Sequence, residues 1–183
     1  ITGDHGFSRV HALIQPNVIL REGGWLTTDA RGRVQTWQAA AHATAIRLKD
    51  PSDTALASRV EARFRELADG RYRGIFRVVS RAELDALGAC PDAAFFIEPA
   101  EGYYVSDGVE QGSVLVGTTR RGAHGFLPTE ARMRTGFIAA GAGIRAGVPL
   151  PLLRQIDIAP TVARLLGFEM PDVDGVPVVG LLK

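Results

Sequence analysis

Short apolar runs alternate with amphipathic segments along this chain of 183 residues, and this alternation restricts the folds open to it. A helix is predicted over residues 53–69, because apolar residues recur there at spacings of three and four, namely Leu56, Val60, Phe64 and Leu67. Runs rich in β-branched residues, such as residues 75–79 and 114–116, are typical of strands. Strands alternating with helices predict an α/β or mixed α+β fold.

Local signals predict the remaining elements. Ser80 and Glu83 have the spacing of a capping box, which predicts a short helix that begins after Ser80. A further helix is expected at residues 157–167, with Pro160 in its first turn and an apolar stripe of Ile158, Val162, Leu165 and Leu166. Other strands are expected at residues 18–20, 25–27, 34–37, 43–48, 93–97, 103–105 and 135–140.

Charge and composition exclude several classes of protein. The formal net charge is +1, which gives no electrostatic reason to expect nucleic acid or an anionic membrane as a partner. The longest stretch without a charged residue, residues 34–46, is shorter than the roughly 20 residues that a membrane helix needs. The single cysteine, Cys90, excludes an internal disulfide and a cysteine-rich zinc finger. An arginine-rich composition suggests a bacterial source, and leaves cytoplasm, periplasm and secretion open.

Two histidines are each followed by glycine in a turn that comes after an apolar run. The first turn contains Asp4 and His5, and the second contains His124. A turn lets neighbouring side chains converge, which a regular strand does not allow. Aspartate oxygen and histidine nitrogen suit Zn²⁺ or Mn²⁺. Either turn alone is more often a plain turn, but a single metal site assembled from both loops would explain the two together.

The other polar candidates are interpreted as structural. His11 and His42 are expected to be packed or hydrogen-bonded, and Cys90 has no patterned partner. Arg120 and Arg121 could hold an anion near His124, but a solvated loop is the preferred interpretation. The chain has no Walker loop, no nucleophile elbow and no dinucleotide fingerprint.

An ordered series of motifs points to one family. The motifs are Asp4-His5-Gly6, Gly122-Ala123-His124-Gly125-Phe126, residues 133–137, residues 140–147, residues 156–163, Leu165-Leu166-Gly167 and Asp174-Gly175. In this order they resemble the C-terminal half of type I phosphodiesterase/nucleotide pyrophosphatase proteins of the alkaline phosphatase superfamily. The resemblance is strong over residues 1–8 and about 114–177, and general between them.

This resemblance implies an α/β fold with an alkaline-phosphatase-like core, of which residues 1–13 and 113–183 would form the C-terminal part. Residues 14–112 would be an inserted α+β cap subdomain. The resemblance also implies two Zn²⁺ ions (or Mn²⁺), with Asp4 and His5 as ligands of one ion and His124 as a ligand of the other. The remaining ligands and the Thr or Ser nucleophile would precede Asp4. The chain is therefore expected to be a fragment that lacks the N-terminal part of the protein and is inactive alone, with no catalytic nucleophile of its own.

The expected function is hydrolysis of phosphodiester or pyrophosphate bonds, with a nucleotide or another small phosphodiester as substrate. Paired cations about 4 Å apart can hold the attacking and leaving oxygens of a phosphoryl displacement. Histidine ligates metal only when neutral, so metal affinity should fall as the pH drops toward about 6. Two alternatives stay open. One is another chemistry of the superfamily, acting on phosphomonoesters, phosphonates or sulfate esters, and the other is a non-catalytic binding module.

Overall fold

The computed structural model describes residues 1–109 and 112–183 and has a mixed α/β fold. The chain divides into two compact units. The first, here called the sheet unit, comprises His5–Arg134. The second, the tail unit, comprises Ile1–Asp4 with Thr135–Lys183.

Where the structure describes it, the sheet unit holds short strands and three α-helices. Its strands are β1 Ser8–Ile14, β2 Leu26–Thr28, β3 Val34–Trp37, β4 Ala39–His42, β5 Ala45–Leu48, β6 Phe76–Val79, β7 Phe95–Pro99, β8 Gly102–Val105, β9 Leu115–Gly117 and β10 Gly122–Ala123. Its helices are α1 Pro16–Glu22, α2 Thr54–Asp69 and α3 Arg81–Ala86, followed by a 3₁₀ turn at Ala131–Met133.

Strand β1 is the centre of one sheet. It runs parallel to β8, while β9 and β10 pair with it in the antiparallel direction. In the β1–β10 pair, Ser8 lies opposite Ala123 and Arg9 lies opposite Gly122. Because the pair is antiparallel, the start of β1 lies beside the end of β10. The sequence did not predict β1, whose apolar residues are interrupted by arginine and histidine.

A second, antiparallel sheet has the strand order β4-β5-β7-β6. The apolar stripe of α2 belongs to the same core as this sheet, and the ring of Phe64 lies 5.4 Å from that of Phe95. Helix α2 begins where predicted, because the Asp53 side chain accepts a hydrogen bond from the Leu56 amide (2.8 Å). The predicted capping box of α3 is also confirmed, and the strands expected at residues 25–27 and 34–37 are present as β2 and β3, which pair as an antiparallel hairpin.

Two predictions within the sheet unit are wrong. Residues 18–20 form part of α1 rather than a strand. Pro16 occupies the first turn of that helix, and three buried apolar residues in a row do not distinguish a buried helix from a buried strand. The spacing of Leu84 and Leu87 predicts that both face inward, but only Leu84 is fully buried; Leu87 follows α3 directly and is 37% exposed. This helix is too short for a second inward-facing turn.

The tail unit has one α-helix, α4 Ile158–Leu166, flanked by 3₁₀ turns at Gln155–Asp157 and Val179–Leu181. The helix is confirmed, and Gly167 ends it in the left-handed conformation (φ 82°). Asp157 and Thr161 attach α4 to the segment after it. The Asp157 carboxylate accepts from the Val176 amide (2.9 Å), and the Thr161 hydroxyl accepts from the Val178 amide (2.9 Å).

The apolar runs of the tail unit are more exposed than predicted. Residues 135–140 do not form a strand; one bridge joins Phe137 to Thr2, and Ile138 is 67% exposed. A strand needs a partner along its length, and here the pairing extends over a single bridge. On α4 the buried residues are Pro160, Thr161 and Ala163, whereas the predicted inward-facing stripe is largely exposed.

The predicted cap, residues 14–112, falls within the sheet unit wherever the structure describes it; residues 110 and 111 lie outside the described residues. Strands β1 and β10 belong to the same unit. The assignment of residues 14–112 as a cap on a hydrolase core stays a prediction.

Candidate functional site

His5 and His124 lie side by side at one end of the β1–β10 pair. His5 lies just before β1 and His124 follows β10 directly, so the antiparallel register brings these distant residues together. Their ring centroids are 4.1 Å apart and the rings are inclined by only 12°. His124 is exposed and His5 is half-buried.

The backbone beside His5 is held by the segment that follows His124. The Gly6 amide donates a hydrogen bond to the Met133 carbonyl oxygen (2.9 Å). The approach is so close that a Cβ on residue 6 would overlap the carbonyl oxygen of Arg132. Only glycine fits here, which explains the residue that follows His5 in the sequence.

A hydrogen bond defines the tautomer of His5. Its Nδ1 lies 3.0 Å from the Gly6 carbonyl oxygen, which can only accept, so Nδ1 carries the proton. In the neutral ring the lone pair is then on Nε2. A backbone carbonyl that orients an imidazole through Nδ1–H is a common support of metal-ligating histidines.

Phe7 completes a cluster of three rings. Its centroid lies 5.4 Å from that of His5 and 5.3 Å from that of His124, while its side chain is 66% exposed. Phe7 is not among the residues predicted from the sequence. The available signal was an aromatic residue placed directly after the Asp-His-Gly turn.

Asp4, the third predicted ligand, is exposed and belongs to the tail unit. Next to it, the amide of Gly3 donates to the carbonyl oxygen of Gly136 (3.4 Å). Among residues 1–109 and 112–183, no group of three or more His, Cys, Asp or Glu side chains is arranged to hold a metal ion. Of the predicted ligands, the rings of His5 and His124 lie in contact with each other.

Two side-by-side imidazoles fit one part of a two-metal site, because each ring could supply a nitrogen ligand to one of two neighbouring cations. Imidazole nitrogen is a good ligand for Zn²⁺. In His5 the lone pair is on Nε2 and the Gly6 carbonyl orients the ring, as this role requires.

The other polar candidates lie in structural contacts. His11 packs edge-on against Tyr103 (5.0 Å between centroids) and His42 against Trp37 (6.3 Å), although both histidines are exposed. The Arg120 guanidinium lies over the ring of Tyr104, 4.9 Å from its centroid, which is a cation–π contact. Cys90, interpreted from the sequence as a structural thiol, is exposed.

Glu98 is a buried acid that the sequence motifs do not single out either. It lies in β7 and is 5% exposed. Its carboxylate accepts from the Leu127 amide (3.2 and 3.3 Å) and lies 3.6 Å from the Arg132 guanidinium. Burial raises the pKa of Glu98 to about 7, despite the opposing effect of the Leu127 hydrogen bond. A lone acid in an otherwise apolar strand was the available signal.

Within the described part of the chain, no helix has the length and apolar character that crossing a membrane requires. Comparison of the chain with models of known protein families and with curated proteins finds no match.

Proposed function

We propose that this chain carries part of the metal site of a phosphodiesterase or nucleotide pyrophosphatase of the alkaline phosphatase superfamily. The observation that supports this proposal best is the stacked pair of His5 and His124 at the end of the β1–β10 pair. The order of motifs along the sequence, and the orientation of the His5 ring by the Gly6 carbonyl, also support it.

In this proposal His5 would hold one cation through Nε2 and His124 would hold the other. Paired Zn²⁺ ions, when bound, would neutralise the charge that develops on the phosphoryl oxygens and lower the pKa of the attacking hydroxyl. The Gly6 carbonyl keeps the His5 ring in its ligating tautomer. Phe7 restricts the freedom of both rings by packing against them.

Binding of Zn²⁺ to the chain, measured by isothermal titration calorimetry, tests the ligand roles. We expect His5→Ala and His124→Ala each to weaken binding by tenfold or more, an order-of-magnitude expectation for lost ligation. His42→Ala is the matched control, because His42 is exposed and lies against Trp37. Equal affinity in all variants would overturn the proposed site.

Catalysis is tested on the complete protein with bis(p-nitrophenyl) phosphate as substrate. We expect His124→Ala to abolish most of the turnover, whereas undiminished turnover would refute a role of His124 in the site. Residues 1–183 alone are expected to be inactive. Parallel assays with a phosphomonoester, a phosphonate and a sulfate ester would distinguish the related hydrolases.

One observation favours a second candidate, a binding module without catalysis. Phe7 contacts both histidine rings, and three mutually packed rings can form an aromatic cluster that needs no metal. In that case His124→Ala would lower the thermal stability of the chain, and neither the wild type nor the variant would bind Zn²⁺.

A further inference from the structure

The segment from His124 to Arg134 connects the two histidines. It begins with His124, and near its other end the Met133 carbonyl accepts from Gly6, the neighbour of His5. This one segment therefore carries one ring and is hydrogen-bonded to the chain beside the other. The contacts that hold the middle of this segment therefore affect the relative position of the two rings.

Glu98 holds the middle of this segment through two residues. Both carboxylate oxygens accept from the Leu127 amide, three residues after His124. The Arg132 guanidinium lies 3.6 Å from the same carboxylate, and its Nη2 donates to the Pro99 carbonyl oxygen (2.8 Å). The Glu98 carboxylate and the Pro99 carbonyl oxygen both belong to β7, so the segment is attached to a strand of the second sheet.

An aromatic contact strengthens this attachment. The Arg132 guanidinium lies over the ring of Phe126, 4.0 Å from its centroid. Phe126 in turn is buried in a cluster with Val10 of β1 and Ala123 of β10. Arg132 thereby links Glu98 to the strand pair that carries the histidines.

We propose that Glu98 is a positioning residue, which holds the segment from His124 to Arg134 against β7 and so maintains the stacking of His5 and His124. The consequence for metal affinity rests on the function proposed above. The effect on ring geometry does not depend on it, and can be measured without metal.

Burial raises the pKa of Glu98 to about 7, so its hold on the segment is sensitive to pH. Arg132, Glu130 and Arg77 act on the carboxyl electrostatically, and Glu101 lines the same cavity of about 480 Å³. An ionised carboxylate accepts a hydrogen bond more strongly than a neutral carboxyl group. The bond from the Leu127 amide is therefore expected to weaken as Glu98 takes up a proton.

Nuclear magnetic resonance of the metal-free chain is the direct test, with Glu98→Ala, Glu98→Gln and Glu101→Gln as variants. We expect Glu98→Ala to lose the cross-relaxation between the rings of His5 and His124. Glu98→Gln keeps an acceptor for the Leu127 amide, so this variant should retain the cross-relaxation between the two rings. Glu101→Gln is the matched control, because Glu101 is exposed and lines the same cavity.

The pH dependence of the Leu127 amide chemical shift is a measurement that a purely structural role of Glu98 would not affect. In the wild type, the chemical shift of this amide should change near pH 7, the pKa of Glu98, because the amide donates to that carboxylate. In Glu98→Gln that transition should be absent. If the Leu127 amide transitions of wild type and Glu98→Gln coincide, the proposal is wrong, even if Glu98→Ala fails to fold.

Zn²⁺ titration separates this inference from the proposed function. We expect Glu98→Ala to weaken Zn²⁺ binding about tenfold or more, the effect typical of residues that support a ligand, and Glu98→Gln to restore most of the affinity. If ring stacking depends on Glu98 but the wild type does not bind Zn²⁺, the proposed function fails and the positioning role stands. If Glu98→Ala preserves stacking while the wild type binds Zn²⁺, the positioning role fails alone.

Discussion

The backbone amide of Gly6 donates to the carbonyl oxygen of Met133 at 2.9 Å. This bond joins the residue after His5 to the far end of the segment that His124 begins. The local chain around each histidine is therefore tied to the chain around the other, and the ring pair depends on backbone packing as well as on the two imidazoles.

We expect Gly6→Ala to disrupt this junction. A Cβ there would overlap the Arg132 carbonyl oxygen, so the free energy of unfolding should fall by about 1–3 kcal/mol, the usual cost of overpacking. Urea denaturation measures the change. Gly117→Ala is the control, because a Cβ at that position meets open space. Similar stabilities for the two variants would contradict the close approach.

Zn²⁺ binding should weaken in acid. An imidazole must lose its proton to ligate metal, so affinity is expected to be at least tenfold lower at about pH 5.5 than at about pH 7.5. Calorimetry at the two pH values measures the difference, and His124→Ala should show a smaller pH effect than the wild type. Affinity independent of pH would argue against histidine ligands.

Glu98 should make the wild type less stable as the pH rises. Its pKa is raised from 4.5 to about 7 in the folded protein, so the folded state holds the extra proton between these values. Stability is therefore lost as the pH increases from about 4.5 to about 7, by about 3 kcal/mol at most.

Glu98→Gln removes this titration. The free energy of unfolding of Glu98→Gln minus that of the wild type should increase by up to about 3 kcal/mol between about pH 4.5 and about pH 8. Urea denaturation across this range measures it, with Glu101→Gln as control. A difference that stays constant with pH would show that Glu98 is not a buried acid with a raised pKa.

Thr161→Val should destabilise the tail unit. The Thr161 hydroxyl donates to the Asp157 carbonyl oxygen (2.6 Å) and accepts from the Val178 amide (2.9 Å). Valine preserves the shape but leaves the Val178 amide without this acceptor, which should cost about 1–3 kcal/mol. Faster hydrogen exchange at Val178 is the measurement. Thr129→Val, at an exposed position, should leave that exchange rate unchanged.

Elements defined by neighbouring residues could be predicted from the sequence. Helix α2 follows from the spacing of its apolar residues and the cap at Asp53, and the capping box of α3 from Ser80 and Glu83. All these interactions join residues within a few positions of each other, so the local sequence contains the information. The same holds for α4, which ends at Gly167.

Two elements that depend on distant partners were not predicted correctly from the sequence. Residues 18–20 and 135–140 are both apolar runs, yet the first is helical and the second forms one bridge. Whether an apolar run becomes a strand depends on a partner with which its backbone can pair, and hydrophobicity does not specify that partner.

For the candidate site, the sequence by itself determined the residue types: two histidines in glycine turns, with the nitrogen donors that a metal needs. Only the tertiary structure decided that their rings stack 4.1 Å apart, since this follows from the register of β1 with β10. It also decided that Glu98 is buried beneath the segment after His124. Strand pairing and burial are created by contacts between residues far apart in the chain, and for that reason local patterns do not reveal them.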